Sequence, residues 1–83
     1  MEERYEAVVE KVIPNGNHGP YAVAKHEVLG LITFSLTQPV WKESHYPEGG
    51  SIVILSEINK KRAGWRANSG RFFKPFDEQP QTK

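Results

Sequence analysis

The sequence predicts an all-β fold, a closed five-stranded antiparallel barrel with a short helix or turn between the third and fourth strands. Three observations carry this. Five apolar segments rich in Val, Ile and aromatic residues are separated by clusters of Gly, Pro and Asn, which is the spacing of an all-β sandwich or barrel. Two of the segments are apolar on both alternating faces, as in a strand that is long and bent or covered on both sides. Closure would also remove the exposed edges that such strands would otherwise present. The one long gap between segments, Thr37 to Gly50, holds Pro39 followed by Val40 and Trp41, so a short helix or turn there has something to bury.

The first strand is "YEAVVEKVI" (5–13), bounded by Pro14, Asn15, Gly16 and Asn17. In it Ala7, Val9 and Ile13 oppose Val8 and Val12. The second, "PYAVAK" (20–25), ends before the polar pair His26-Glu27, and the third, "VLGLITFSL" (28–36), follows directly. In the third, Ile32, Phe34 and Leu36 share one face and Thr33 and Ser35 the other, so alternation puts the apolar trio in the core. In "TQPVWKES", Pro39 suits a first helical position with Thr37 or Gln38 as cap, and Trp41 reads as a plug for the barrel, with a binding aromatic as the alternative. The turn "PEGG" precedes the fourth strand, "SIVILSEI" (51–58), where Ile52, Ile54 and Ile58 oppose Val53 and Leu55. The fifth, "GWRANSGRFF" (64–73), is interrupted by Gly70, and Trp65 and Ala67 lie on its inner face if alternation holds. Residues 1–74 form one domain on this reading, and the polar, proline-containing tail 75–83 is expected to fray.

An 83-residue chain buries only about 60% of its unfolded surface, so its core is small. It has no cysteine, so no disulfide or thiolate-metal site supplements that core; a reducing cytoplasm suits it. The start "MEERYEAVVE" is charged where a signal peptide would be apolar, and no apolar run approaches the length of a membrane span. The net charge of +1 hides an asymmetry. Residues 1–56 hold seven Glu against four Lys or Arg, a balance of −3, and residues 57–83 hold seven Lys or Arg against three acids, a balance of +4. Such a split points to a polyanionic partner, or simply to a solvated charged face. The cations concentrate in "KKRAGWRANSGRFFK", where six Lys or Arg and no acid occur with Trp65, Phe72 and Phe73 between them.

Several stretches resemble S1-type RNA-binding domains of the OB fold. "HGPYAV" (18–23) is similar to their aromatic-Gly-x-aromatic-x-Val second strand and "GLITFS" (30–35) to their Gly-Leu-Val-His-x-Ser third strand. "PEGGSIVILSEINKKRAGWRA" (47–67) is similar to their closing Val-Gly-Asp-x-Val-x-Val hairpin. The pieces occur in order and cover roughly residues 5–70. The departures are the missing first-strand Gly near Ala7, a longer loop at Pro14–Asn17, His18 as the first aromatic, Thr33 where a His is usual, and Asn59 where an Asp is usual.

The resemblance implies a single-stranded RNA or DNA ligand on the face of strands two and three, where OB folds combine aromatic platforms with a basic groove. Tyr21 is the platform candidate, beside His18; the alternative is that Tyr21 covers the barrel with its hydroxyl at the rim. Val23 and Lys25 follow on the same face. Thr33 is the exposed third-strand contact, able to bond a phosphate or base edge through its hydroxyl. Lys60, Lys61 and Arg62 are placed in the last hairpin turn, where they suit phosphate. Arg66 points outward opposite the Trp65 face, and Arg71 extends the track.

No enzyme pattern emerges. His18, His26 and His45 have no recognised metal spacing, and the serines lack a Gly-x-Ser-x-Gly elbow. "PNGNHG" has no P-loop Lys-Ser or Lys-Thr pair. The expectation is a non-catalytic binding module without cofactor or membrane contact. A protein-interaction module on the same barrel is the rival, because a fold does not fix a function.

Overall fold

The computed structural model describes residues 3–78. Five strands form one closed barrel: β1 (Arg4–Ile13), β2 (Tyr21–His26), β3 (Gly30–Ser35), β4 (Ile52–Lys61) and β5 (Gly64–Phe72). Around the barrel their order is β1-β2-β3-β5-β4, with β4 closing on β1. The expected all-β, closed five-stranded barrel is therefore present, with one correction. The pairs are antiparallel except β3 with β5, which run parallel through Ile32 opposite Trp65, Thr33 opposite Arg66 and Phe34 opposite Ala67. A ring with an odd number of strands cannot alternate direction all the way round, so closing five strands requires at least one parallel contact.

The interior is filled by complementary volumes, as small barrels require. On β2 the inward residues are Ala22 and Ala24, and opposite them on β3 stand Phe34 and Ile32. Ala7 and Val9 of β1, Val53 and Leu55 of β4 and Ala67 of β5 complete the wall. Small residues on some strands leave room for large ones on their neighbours, and none of these side chains carries a polar atom.

The two long strands that read as apolar on both faces each change phase once. In β1, Val9 pairs with Ala24 but Lys11 with Val23, so Glu10 is bulged out of the ladder. The bulge lets Val9 and Val12 both reach the core while Val8 stays exposed. In β4, Leu55 and Ile58 both pack inward, and between them Glu57 has a left-handed backbone, φ 56°. A non-glycine residue tolerates that conformation at a cost of about 1 kcal/mol or somewhat more.

One end of the barrel is closed by Trp41, which is buried as the plug reading expected. No helix forms here. Residues 38–40 make a turn, with the amides of Val40 and Trp41 donating to the Thr37 carbonyl at 3.0 and 3.2 Å. The Trp41 ring lies 5.7 Å from Phe34 and 5.1 Å from Phe72, and its indole N–H donates to the His45 carbonyl at 2.8 Å. Gly70 permits this approach, since a Cβ there would stand 3.0 Å from Leu55 Cδ2 and 3.3 Å from Trp41 Cε3.

The segment expected to fray begins with an ordered 3-10 turn, Pro75–Glu78; residues 79–83 lie outside the described part. Asp77 fixes the turn. Its carboxylate accepts both Nη groups of Arg71, at 2.9 and 3.0 Å, and the Lys74 amide at 2.8 Å, while Arg4 stands 3.9 Å away. The Arg71 guanidinium beside it holds the Asp77 carboxyl down at about 2. Asp77 thereby ties the turn to Arg71 of β5 and stands near Arg4 of β1, and on the intervening β4 Ile54 and Ser56 are buried.

Candidate nucleic-acid interface

Pairing along β2 and β3 decides which side chains share the outer face. Tyr21 stands opposite Ser35, Val23 opposite Thr33 and Lys25 opposite Leu31, while the alanines between them point inward. The parallel contact with β5 then extends the middle row. Thr33 is opposite Arg66, and Arg66 is opposite Asn59 of β4. On the other side, Val23 is opposite Lys11 of β1. One row thus runs Lys11, Val23, Thr33, Arg66, Asn59 across all five strands.

The loop between β1 and β2 rises beside this row and makes a cleft of about 480 Å³. Its walls are the loop residues Asn15 to Pro20 together with Tyr21, Thr33, Ser35 and Arg66. Four of the residues singled out by sequence, His18, Tyr21, Thr33 and Arg66, are brought together here. No acid lines the cleft.

Tyr21 sits against the β1–β2 loop. It is half-buried, and its ring is braced by the loop: a Cβ on Gly16 would stand 2.8 Å from Tyr21 Cε1 and 2.8 Å from the Gly19 carbonyl oxygen. Only glycine at position 16 allows the loop backbone to lie against the ring. The loop is also pinned by the Gly19 amide donating to the Gly16 carbonyl at 3.1 Å, with Gly19 at φ 100°. Ser35 Oγ lies 2.7 Å from Thr37 Oγ1 and accepts the Thr37 amide at 3.1 Å, so its position is set by its own strand end.

The cations divide by strand parity. Arg66 is exposed and makes no ion pair among the described residues. Lys60 and Lys61, expected in the hairpin turn, are the last residues of β4; the turn itself is Arg62 and Ala63. Lys61 alternates onto the Asn59–Arg66 face, whereas Lys60 is opposite Trp65 and holds its ammonium 5.0 Å over that ring. Trp65 itself is half-buried against the core. Lys61 and Arg62 are exposed beside the cleft row, and Lys60 sits on the far face.

Besides Lys60, two of the expected contacts lie elsewhere. Arg71 is engaged by Asp77 and also stacks 5.5 Å from the Phe76 ring centre. Lys25 is four residues along β2 from Tyr21, roughly 13 Å at strand spacing. It lines a different depression with Glu6, Val8, Glu10, His26 and Glu27. His26 is taken up by its turn, its Nδ1 accepting the amides of Val28 and Leu29 at 3.1 Å each. Among the described residues no cluster of three or more His, Asp or Glu is arranged to hold a metal.

Sequence reasoning missed Asn15, Asn17 and Ser35 as cleft walls. The signal was the loop "PNGNHG", whose asparagines read as turn-formers as well as they read as amide donors and acceptors. No helix of the described residues is long and apolar enough to cross a membrane. Comparison with protein-family models, with curated proteins and with solved structures gives no match.

Proposed function

We propose that this barrel is a non-catalytic module that binds single-stranded nucleic acid, RNA foremost, across β2 and β3. The observation that carries the reading is the acid-free cleft in which Arg66, without a carboxylate partner among the described residues, stands beside a half-exposed Tyr21 and the hydroxyls of Thr33 and Ser35. A base stacks on an aromatic face without regard to sequence, a contribution of about 1–3 kcal/mol. The phosphates on either side of that base fall to Arg66, and then to Lys61 and Arg62 at the hairpin end. Thr33, Ser35, Asn15 and Asn17 supply hydroxyl and amide groups for sugar or base edges. The resemblance of "HGPYAV" and "GLITFS" to S1-type domains supports the same face, and the cysteine-free chain suits a reducing cytoplasm.

The mechanism divides the work between stacking and ion release. Stacking holds the strand at Tyr21 and is insensitive to salt. The cations displace counterions from phosphate, so their contribution falls as salt rises. Titration of the chain with a labelled single-stranded RNA and with duplex DNA, at several salt concentrations, tests this. The single strand is expected to bind more tightly, with affinity declining steeply with salt. Absence of binding at low salt, or affinity unmoved by salt, would refute the reading and favour a protein-interaction module.

A further inference from the structure

The outer face carries a second row that the nucleic-acid reading does not use. Ile52 of β4 is opposite Val8 of β1, Val8 is opposite Lys25 of β2, and Lys25 is opposite Leu31 of β3. Three of these four are large apolar residues, and all three are open to solvent: Ile52 at 41%, Val8 at 44% and Leu31 at 56%. Val28, in the turn leading into β3, is 78% exposed. The solvated face of an antiparallel sheet normally carries polar residues. Here a four-strand apolar row interrupted only by the Lys25 stem lies on that face, and contiguous exposed apolar surface marks a contact site more often than scattered single residues do.

Charge says what covers it. The depression beside Val8 is lined by Glu6, Glu10 and Glu27 against Lys25 alone, a local balance of −2 with His26 neutral. None of the three carboxylates has an ion-pair partner among the described residues. A second copy presenting the same face would set −2 against −2 and be repelled. Nucleic acid would be repelled for the same reason.

We propose that this row is a docking surface for a cationic segment of another protein, one that places apolar side chains on Val8, Leu31 and Ile52 and its Lys or Arg residues on Glu6, Glu10 and Glu27. The segment lies on the face rather than adding a strand, because the closed barrel offers no edge. Exposed ion pairs select the partner and its orientation, and the apolar contacts hold it. The surface begins one row beyond Val23 and Thr33, so a strand in the cleft and a peptide on this row occupy neighbouring positions of one sheet. The inference does not depend on the nucleic-acid reading, since it uses none of the cleft residues.

The test is an amide chemical-shift titration of the isotope-labelled chain with a short capped peptide of alternating Leu and Arg, and with its counterpart of alternating Leu and Glu. Saturable shifts confined to Val8, Lys25, Leu31, Ile52 and their neighbours are expected with the cationic peptide and not with the acidic one. Replacing Glu6, Glu10 and Glu27 together by Gln should weaken the cationic peptide by about tenfold, the sum of three exposed ion pairs. Leu31→Ser should also weaken it, while the spectrum of the free variant stays dispersed and single-strand binding keeps its parental value. Absence of saturable shifts, equal binding of both peptides, shifts centred on the Tyr21 cleft, or concentration-dependent shifts of the same row in the chain alone would each overturn the proposal. The last would assign the surface to self-association.

Discussion

Strand parity makes a sharp statement about cations that lie close together in sequence. Arg66 belongs to the row that crosses the cleft, whereas Lys60 covers Trp65 on the opposite face. Suppose Arg66, Lys61 and Arg62 each neutralise one phosphate. Single-strand binding then has a log–log salt slope of about −2, at roughly −0.7 per contact, and affinity falls roughly 18-fold between about 50 and 200 mM salt. Arg66→Gln removes one contact and should flatten the slope by about 0.7. Lys60→Gln should leave it unchanged, although both variants lose one positive charge. Both folds should survive, because these residues are exposed and exposed charges add little to stability. Fluorescence anisotropy of a labelled single-stranded RNA, titrated at four or more salt concentrations, reads the slopes. Equal flattening by the two variants would show that net charge, rather than the cleft row, governs binding, and would refute the assignment.

Gly16→Ala forces a Cβ to 2.8 Å from the Tyr21 ring, so it should weaken single-strand binding as Tyr21→Ala does, by up to about 1–3 kcal/mol, with the salt slope near its parental value. Trp41→Ala should cost about 3–5 kcal/mol, enough to unfold a domain with about 5 kcal/mol of stability. Trp65→Ala should cost less, because that ring is only half-buried; thermal melts of the two variants decide the order. Asp77 contributes stability at neutral pH because Arg71 holds its carboxyl down at about 2. Its folded pKa lies below the unfolded value of about 3.9, so the contribution is complete above that value and lost as pH falls towards about 2. Asp77→Asn should therefore melt earlier than the parent at neutral pH, with the gap closing over that acid window; a gap independent of pH would contradict the ion-pair account. Glu43, held low chiefly by the Phe72 amide and also by Lys74, adds to the same acid sensitivity.

Local alternation carried most of the fold. "GLITFS" needs only its period of two to put Ile32 and Phe34 inside and Thr33 and Ser35 outside, and the structure agrees. Trp41 was legible as a plug rather than a binding aromatic because a large side chain in a proline-containing connection has the end of a small core to fill, and it is buried. Phase changes were not legible. Nothing in "YEAVVEKVI" marks Glu10 as the bulged residue, since the bulge is imposed by the need of both Val9 and Val12 for the core. The parallel β3–β5 contact joins segments far apart in sequence and leaves no local pattern, though five strands in a closed ring demand one such pair. The same pairing puts Arg66 beside Thr33, so the arginine of the cleft depended on a long-range register. Arg71 read as a free cation because its partner, Asp77, lies in a segment whose composition suggested fraying. Lys25 shared a face with Tyr21 as alternation required, but its carboxylate neighbours come from β1 and the following turn.

On the proposed function, a single strand lies in the cleft between the β1–β2 loop and the β2–β3 face. An amide and side-chain chemical-shift titration of the isotope-labelled chain with a short single-stranded RNA tests it most directly. Saturable shifts are expected at Asn15 to Tyr21, Thr33, Ser35 and Arg66, with the Lys61–Arg62 end following and the Val8–Leu31 row unmoved. No shifts at low salt, or shifts centred on Val8, Lys25 and Leu31 with the cleft silent, would contradict it.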